Sequence, residues 1–460
     1  MQKLIKIQYL KINKKRGIKI FVSKRNLFFK SKENGYLLFC GNSNSFYQVD
    51  EENVPHVQKM FDTGDDSELP EDIKKEFIKS GVLLPESDEE RFKRLKLFSY
   101  QTRFNPNELS LTIAPTMACN FKCTYCYEGN RVQNITMTDE VIDGLIGFIK
   151  KIGPKTLNII WYGGEPLCAW NKVVEITKKI EELEISSIKY SMVTNGTLIN
   201  QEILEFIDNR KFDFIQITLD GDEEIHNSRR PMKNGGNSYR VILSSLDNIY
   251  EYCKKNNTYI KVLLRVNLDK TNISCYKKVY ELIRSKYPNF FYAYPAFVSR
   301  NSELDCHSEN CMSSLESSAY ILDLANKKDI ITNQLFPLRN RFCGCKIQYV
   351  NNYVIDSYGN IYRCWEDISE KDKSLGNVIK GIRDEKNIIA WQVMESSGFE
   401  DFECKDCLFL YSCMGGCPKH RIENRKLGKE LNPVCFSIKN EPKEFLESYY
   451  NYKKRHLYCE

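Results

Sequence analysis

The run Leu109-Ser110-Leu111-Thr112-Ile113-Ala114-Pro115-Thr116-Met117-Ala118-Cys119-Asn120-Phe121-Lys122-Cys123-Thr124-Tyr125-Cys126 decides how the rest of the chain is read. Its alternating apolar half predicts a strand, and its thiols fall in the loop that follows. The spacing C-x3-C-x2-C lets three thiolates take three corners of a cubane iron–sulfur cluster and leaves the fourth iron without a protein ligand. Zinc is the alternative, but it prefers four ligands and often a repeated C-x2-C pair, and no fourth Cys or His follows nearby.

Outward from this loop, strands alternate with helices, the pattern of a parallel β/α array. After Leu109–Pro115 the candidate strands are Leu157–Tyr162, Tyr190–Thr194, Phe214–Leu219, Ile260–Asn267 and Phe290–Phe297. Between the first two, a helix capped at Thr138 carries Val141, Ile142, Leu145, Ile146 and Ile149 on one face. Six such units predict a fold of the α/β class, a partial (β/α)6 TIM-like barrel over residues 108–300. Motifs just after its strands then lie where such barrels place their active sites.

Before the barrel, residues 1–98 predict a small α+β winged-helix domain. Its candidate strands are Ile18–Val22, Leu27–Lys30 and Tyr36–Phe39, its helices Val54–Phe61 and Glu71–Lys79, and its last short strand Gly81–Pro85, with a charged helix from Ser87. Beyond residue 300 the alternation fades. A bridging region (301–340), a Cys-rich Fe–S domain (341–440) and a tail (441–460) follow, the Cys-rich part expected to be stapled by metal more than by a core.

The 460 residues are 42% hydrophobic and 28% charged, which fits several folded domains and excludes disorder as the main state. No stretch reaches the 18 or so apolar residues of a membrane span, and Lys3 and Lys6 interrupt the first ten residues, so the expected location is cytoplasmic. The net charge of +6 is uneven: Lys3–Lys32 holds eleven Lys and Arg and no acid, leaving −5 for the remainder. Such an arm could touch nucleic acid or an acidic peptide; a solvated surface is the plainer reading. Of 18 cysteines, Cys40, Cys168, Cys253, Cys275 and Cys459 are scattered singly and read as small buried hydrophobes. The other thirteen cluster, as metal ligands do in a reducing compartment.

The C-x3-C-x2-C loop with Tyr125 before its last Cys resembles the radical S-adenosylmethionine (SAM) superfamily, and four more strand ends agree. Gly163-Gly164-Glu165-Pro166 looks like that family's GGEP motif, Asn195-Gly196 its TNG segment, Thr218-Leu219-Asp220-Gly221 its SLDG element, and His226 with Arg230 the His-x3-Arg pattern that follows. The resemblance implies that Cys119, Cys123 and Cys126 hold a 4Fe–4S cluster, which donates an electron to bound SAM to release a 5'-deoxyadenosyl radical. It implies cofactor contacts by Tyr125, Gly163, Gly164, Glu165, Pro166, Asn195, Thr218, Asp220 and Arg265, with Glu165 on the methionyl ammonium and Arg265 on its carboxylate. An electron donor such as flavodoxin or ferredoxin is implied too. The chain shows neither a G-x4-GK[ST] loop nor a G-x-G-x-x-G fingerprint, and its five His offer no paired ligand spacing.

In the C-terminal region, Cys345, Gly359-x4-Cys364, Cys404-x2-Cys407-x5-Cys413-x3-Cys417 and Cys435 follow the order of the SPASM extension, which binds two auxiliary 4Fe–4S clusters. Carried over, one cluster takes Cys345, Cys364 and Cys417, and the other Cys404, Cys407, Cys413 and Cys435. The first set is one ligand short. Either Cys343 closes it, or its cluster keeps an open iron able to bind a substrate thiolate; Cys306 and Cys311 are treated as unliganded.

Sulfatase-maturing enzymes share this architecture, but there an Asp follows the GX4C cysteine as catalytic base. Trp365 stands here instead, and Glu366 or Asp367, read in an extended segment, would face differently. The N-terminal domain, Leu27–Pro85, resembles the RiPP recognition element, which captures the leader of a precursor peptide as an added strand. Asp50–Glu90 carries fourteen acids against four lysines, so nucleic acid is disfavoured as a partner. The expectation is a radical peptide maturase forming a Cys thioether. A carbon–carbon cross-link or sulfatase-type oxidation is the alternative, and a non-catalytic Fe–S leader-binding protein the alternative of another class.

Overall fold

The computed structural model describes residues 19–126, 128, 134–298, 308–328, 330, 336, 338, 341–428 and 434–456. The basic arm up to Arg16, the expected strand start Ile18, and Cys306 and Cys459 lie outside the described residues. The chain forms two compact units: Met1–Phe98 with Arg339–Phe342 and Glu403–Ser412, and Ser99–Leu338 with Cys343–Phe402 and Cys413–Glu460. Among the described residues no helix is long and apolar enough to cross a membrane.

In the first unit, β1 (Phe21–Val22), β2 (Asn26–Lys30), β3 (Tyr36–Cys40) and β4 (Ser45–Val49) precede two helices, α1 (Val54–Thr63) and α2 (Glu71–Ser80). β2, β3 and β4 make an antiparallel sheet in that order, with Leu38 opposite both Phe28 and Tyr47. β4 escapes the sequence reading because Ser45-Phe46-Tyr47-Gln48-Val49 follows a polar turn and alternates only weakly. Both helices end on a left-handed glycine, Gly64 and Gly81. The chain returns as β5 (Leu83–Leu84), antiparallel to β1. Leu38, Cys40, Val57, Met60, Phe77 and Leu83 share one core, so burial of one face of each element holds the unit together. Glu403–Ser412 packs here as well: Ser412 Oγ donates to Asn44 Oδ1 at 2.9 Å. A Cβ on Gly41 would lie 2.0 Å from the Leu408 carbonyl, so only glycine admits that segment.

A helix, α3 (Asp88–Arg103), runs to the second unit, where eight strands form one sheet. In chain order β6 (Glu108–Ile113), α4 (Asp139–Ile152), β7 (Thr156–Trp161), α5 (Trp170–Glu181), β8 (Ser187–Thr194), α6 (Gln201–Asn209), β9 (Phe214–Thr218), α7 (Glu223–Arg229), α8 (Ser238–Asn256), β10 (Val262–Leu268), α9 (Cys275–Lys286) and β11 (Tyr292–Phe297) alternate. β6 to β11 are parallel and paired in sequence. Leu109, Leu111, Ile113, Leu157, Ile159, Trp161, Ile215, Ile217, Val262, Leu264 and Val266 are at most 1% exposed. The residues between them include Ser110, Thr112, Asn158, Gln216, Thr218, Arg265 and Asn267, so one sheet face is apolar and the other polar. The amphipathic helices close on the apolar face; Thr138 Oγ1 caps α4 by accepting from Val141 N–H at 3.4 Å.

The Cys-rich region departs from expectation. After a helix, α10 (Ser314–Lys328), it adds β12 (Asn352–Ile355), parallel to β6, and β13 (Ile361–Tyr362), antiparallel to β12. Val354, Tyr362 and Ile368 share a core with Ala114 and Met117. The region is therefore anchored by a sheet and a core. Strands of four and two residues are too short to show a period in the sequence; β12 takes the β6 edge and β13 pairs with β12.

Candidate active site

Each functional segment sits at the carboxyl end of a strand. The thiol loop leaves β6 and is held by main chain from the far side of the sheet: Lys122 N–H donates to Pro231 O at 2.8 Å and Thr124 N–H to Arg229 O at 2.9 Å. After β7, Gly163 has φ +108°, and a Cβ on Gly164 would lie 2.4 Å from the carbonyls of Met117 and Ala118. The glycines thus let this turn lie against the thiol loop itself.

Glu165, 1% exposed, clamps two strand ends. Its carboxylate accepts from Thr194 Oγ1 and Asn195 N–H, both at 2.6 Å, and from Leu167 N–H at 3.1 Å. Burial raises its pKa, only partly offset by these donors. Pro166 then starts a 3-10 turn, Pro166–Ala169. Asn195 Nδ2 donates to Asn120 Oδ1 at 2.6 Å, tying the end of β8 to the thiol loop.

Tyr125 is the hub of a second network. Its hydroxyl donates to Asp220 Oδ2 and accepts from Arg230 Nη1 at 2.8 Å and Asn267 Nδ2 at 3.0 Å. Removal of the phenol from water pushes its pKa well above the ordinary value. Asp220 accepts Asn267 N–H at 2.9 Å, and His226 Nδ1 accepts Asp220 N–H at 3.1 Å. Burial and the two arginines hold His226 well below its ordinary pKa, so its imidazole is a neutral acceptor. Arg265 Nε donates to Asn267 Oδ1 at 2.6 Å. Thr218, Arg265 and Tyr294 are register neighbours on β9, β10 and β11 and so share the polar sheet face.

The three thiols lie within electrostatic range of one another. Burial pushes Cys119 up to about 12, Phe121 N–H lowers it, and Glu165, Cys123 and Cys126 raise it further. Cys123 is also raised by burial, with Arg230 and Arg229 pulling it down. Such thiols stay protonated in water and ionise on meeting an electrophilic metal centre, as a cluster supplies. Among the described residues no three Cys, His, Asp or Glu side chains converge on one ion. What favours a cluster is the donor set: three thiols in one loop beside two guanidinium groups.

A radical SAM superfamily model matches residues 113–282. Those residues form a radical SAM domain. The chain is accordingly a radical SAM enzyme, whose cofactors are a 4Fe–4S cluster and SAM. It is 26% identical over 378 residues to a cysteine-type anaerobic sulfatase-maturating enzyme of Clostridium perfringens, covering 74% of this chain and 95% of that protein. It is 27% identical over 290 residues to the radical SAM cyclopropyl synthase TigE of Paramaledivibacter caminithermalis, covering 55% of this chain and 59% of that protein. The solved structure of native anSMEcpe with bound AdoMet shares the fold, with a TM-score of 0.56 at 21% identity over 76% of this chain and 100% of that one.

Outside the radical SAM domain, a second thiol set gathers in the same unit. Cys345 is raised by burial and by Cys417 and Glu366; Cys364 is raised by burial, Asp367 and Glu366, and lowered by Lys419. Cys343 faces elsewhere: its thiol lies 3.8 Å from Ser99 O and Oγ, and it acts on Tyr349 and Arg103. Cys404 and Cys407 lie in the first unit, Cys413 and Cys435 in the second.

Two sequence expectations are corrected here. Residues Trp365–Asp367 form a 3-10 turn rather than an extended segment, so alternation does not govern Glu366 and Asp367. Both reach Lys419 Nζ, at 3.0 and 3.4 Å. Cys168 is exposed rather than buried, because the turn after Glu165 lies at the strand-end surface; Cys40, Cys253 and Cys275 are buried. Sequence reasoning also missed Asn120, Thr194 and Asn267. The signal was present for Asn267, which ends the Leu264-Arg265-Val266-Asn267 run, and for Asn120, which lies inside the thiol loop.

Proposed function

We propose that this radical SAM enzyme matures a ribosomally made precursor peptide by forming a thioether between a peptide cysteine and a carbon atom. One observation carries the choice of bond. The Cys343 thiol lies 3.8 Å from Ser99 O and Oγ, while Cys345 is raised by Cys417 and Glu366, which supports an auxiliary cluster held by Cys345, Cys364 and Cys417 without Cys343, with one iron left for a substrate thiolate. Cys119, Cys123 and Cys126 would hold the SAM-binding cluster, and Thr218 and Arg265 would anchor the cofactor from the polar sheet face. When bound, the cluster and SAM would supply one-electron chemistry able to abstract a hydrogen atom from the substrate.

The chain's own residues orient and exclude. The Glu165 clamp and the Tyr125 hub fix the thiol loop against the ends of β7, β8, β9 and β10, which limits the reorganisation the site must undergo. Arg229 and Arg230 favour the thiolate form at Cys123. In the first unit, β2 and β4 each pair on one side only among the described residues, and a cleft of about 460 Å³ runs past Lys19, Phe21, Lys24, Asn26 and Phe61. Both features suit a leader peptide added as a strand. A flavodoxin or ferredoxin would deliver the electrons.

A second reading has its own support. Glu366 acts on both Cys364 and Cys345, so a carboxylate stands beside the auxiliary thiols even though Trp365 occupies the position of the usual Asp. That suits a sulfatase-type oxidation of a cysteine, and the Clostridium relative is named a cysteine-type anaerobic sulfatase-maturating enzyme. The discriminating experiment is anaerobic co-expression with a short Cys-containing peptide encoded beside the gene, followed by mass spectrometry. Loss of two hydrogens and a free thiol supports the thioether; replacement of the thiol by an aldehyde supports the oxidation; an unchanged peptide thiol rejects both.

A further inference from the structure

Arg363 directly precedes Cys364 and is 2% exposed. All its acceptors are carbonyl oxygens: Nη1 donates to Val350 O and Asn352 O, each at 2.8 Å, and Nη2 to Ile347 O at 2.7 Å and to Tyr349 O. Its Nε has no acceptor. These carbonyls belong to the segment that follows Cys345. One side chain therefore fastens the backbone after Cys345 to the residue that enters Cys364.

The charge is less well provided for than the geometry. Lys419, comparably buried, has Glu366 at 3.0 Å, and Arg229 has Asp269 at 2.7 Å. Arg363 meets the face of Tyr353, 5.4 Å from its centroid. Asp384 acts on it only at a distance, because its oxygens accept Ile388 N–H at 2.6 Å and Ile389 N–H at 2.7 Å. The remaining anion-forming group acting on it is the Cys345 thiol. Burying a cation on neutral dipoles is costly, and an anionic group nearby offsets that cost.

We propose that Arg363 is a positioning residue for the auxiliary cluster of Cys345, Cys364 and Cys417, fixing two of its ligands through one carbonyl cage and supplying the positive charge that stabilises its reduced form. This rests on the reading that these three thiols hold a cluster. Each added electron makes such a cluster more negative, so a fixed nearby cation favours reduction, and hydrogen bonding and burial tune the same equilibrium.

The test uses the full chain with Cys119→Ala, Cys123→Ala and Cys126→Ala, so that only auxiliary iron remains, with Arg363→Gln or Arg363→Lys added. Iron and sulfide are counted, and the potentials are read by titration followed by electron paramagnetic resonance. Arg363→Gln should disfavour reduction of one auxiliary signal about tenfold, a shift of about 59 mV to more negative potential, and Arg363→Lys should stay near the parent. Loss of that signal in Arg363→Gln with retention in Arg363→Lys supports the same role. Equal loss in both, or retention in both at an unchanged potential, overturns it and leaves a purely structural clamp. A parent with no auxiliary iron overturns the inference together with the cluster reading beneath it.

Discussion

The two thiol sets of the second unit are held by different means. Cys119, Cys123 and Cys126 share one loop with little regular structure, and the surrounding strand ends supply its rigidity through Glu165, Asn195 and the Tyr125 hub. Cys345, Cys364 and Cys417 come from three separated segments, and there the fixing groups are long cationic side chains: Arg363 on its carbonyls and Lys419 between Glu366 and Asp367. A contiguous loop needs only to be kept in shape, which side chains at the neighbouring strand ends do, Glu165 and Asp220 among them. Ligands brought from distant parts of the chain need long side chains that reach several segments, and those side chains are charged.

The largest break in this comparison removes one set at a time. Cys119→Ala, Cys123→Ala, Cys126→Ala should abolish 5'-deoxyadenosine formation while keeping auxiliary iron. Cys345→Ala, Cys364→Ala, Cys417→Ala should keep SAM cleavage and lose peptide product. Iron analysis with chromatography of 5'-deoxyadenosine checks both; cleavage that survives the first variant would refute the assignment.

Next come the supports of the loop. Asp269→Asn breaks the buried pair with Arg229, both under a tenth exposed, and should cost about 3 kcal/mol in chemical denaturation. Burial alone would raise Asp269, but Thr271 and Arg229 outweigh it and leave the carboxyl below its ordinary value. Its contribution is therefore present above the unfolded-state pKa and lost as the pH falls through the lowered folded value. An acid-unfolding midpoint that is the same in Asp269→Asn and the parent contradicts this.

Tyr125→Phe leaves Arg230, Asn267 and Asp220 without their shared hydroxyl and should cost about 2 kcal/mol. It should also slow SAM cleavage with the iron content unchanged. If only stability moves, the hub supports the fold and not the loop geometry. The smallest effect is expected at Trp365, 43% exposed, which stacks on Tyr162 with centroids 5.9 Å apart and rings 16° from parallel. Trp365→Ala should cost about 1 kcal/mol and raise the KM for the peptide more than it lowers kcat. The reverse split would assign the ring to the chemical step.

Much of the barrel was legible because a buried parallel strand is a short apolar run and its helix has a 3.6-residue stripe; the strands from Leu109 to Phe297 show both. The site was legible where its residues are consecutive, as in Cys119–Cys126 and Gly163–Pro166. β12 and β13 were not, because β12 pairs with an edge more than 200 residues away in sequence and two-residue β13 adds only to β12, so neither shows a local period. Glu165 illustrates the middle case: its presence could be read, but not that Thr194 and Asn195 already occupy its carboxylate.

The sequence by itself determined the strand–helix order, the thiol spacing and the glycines after β7, since each rests on short-range chemistry. Tertiary structure alone decided which thiols are neighbours, that Cys343 turns toward Ser99, and that Arg363 reaches back to the segment after Cys345. Those outcomes depend on which distant groups share a buried volume, where every donor needs an acceptor and every charge a counterion.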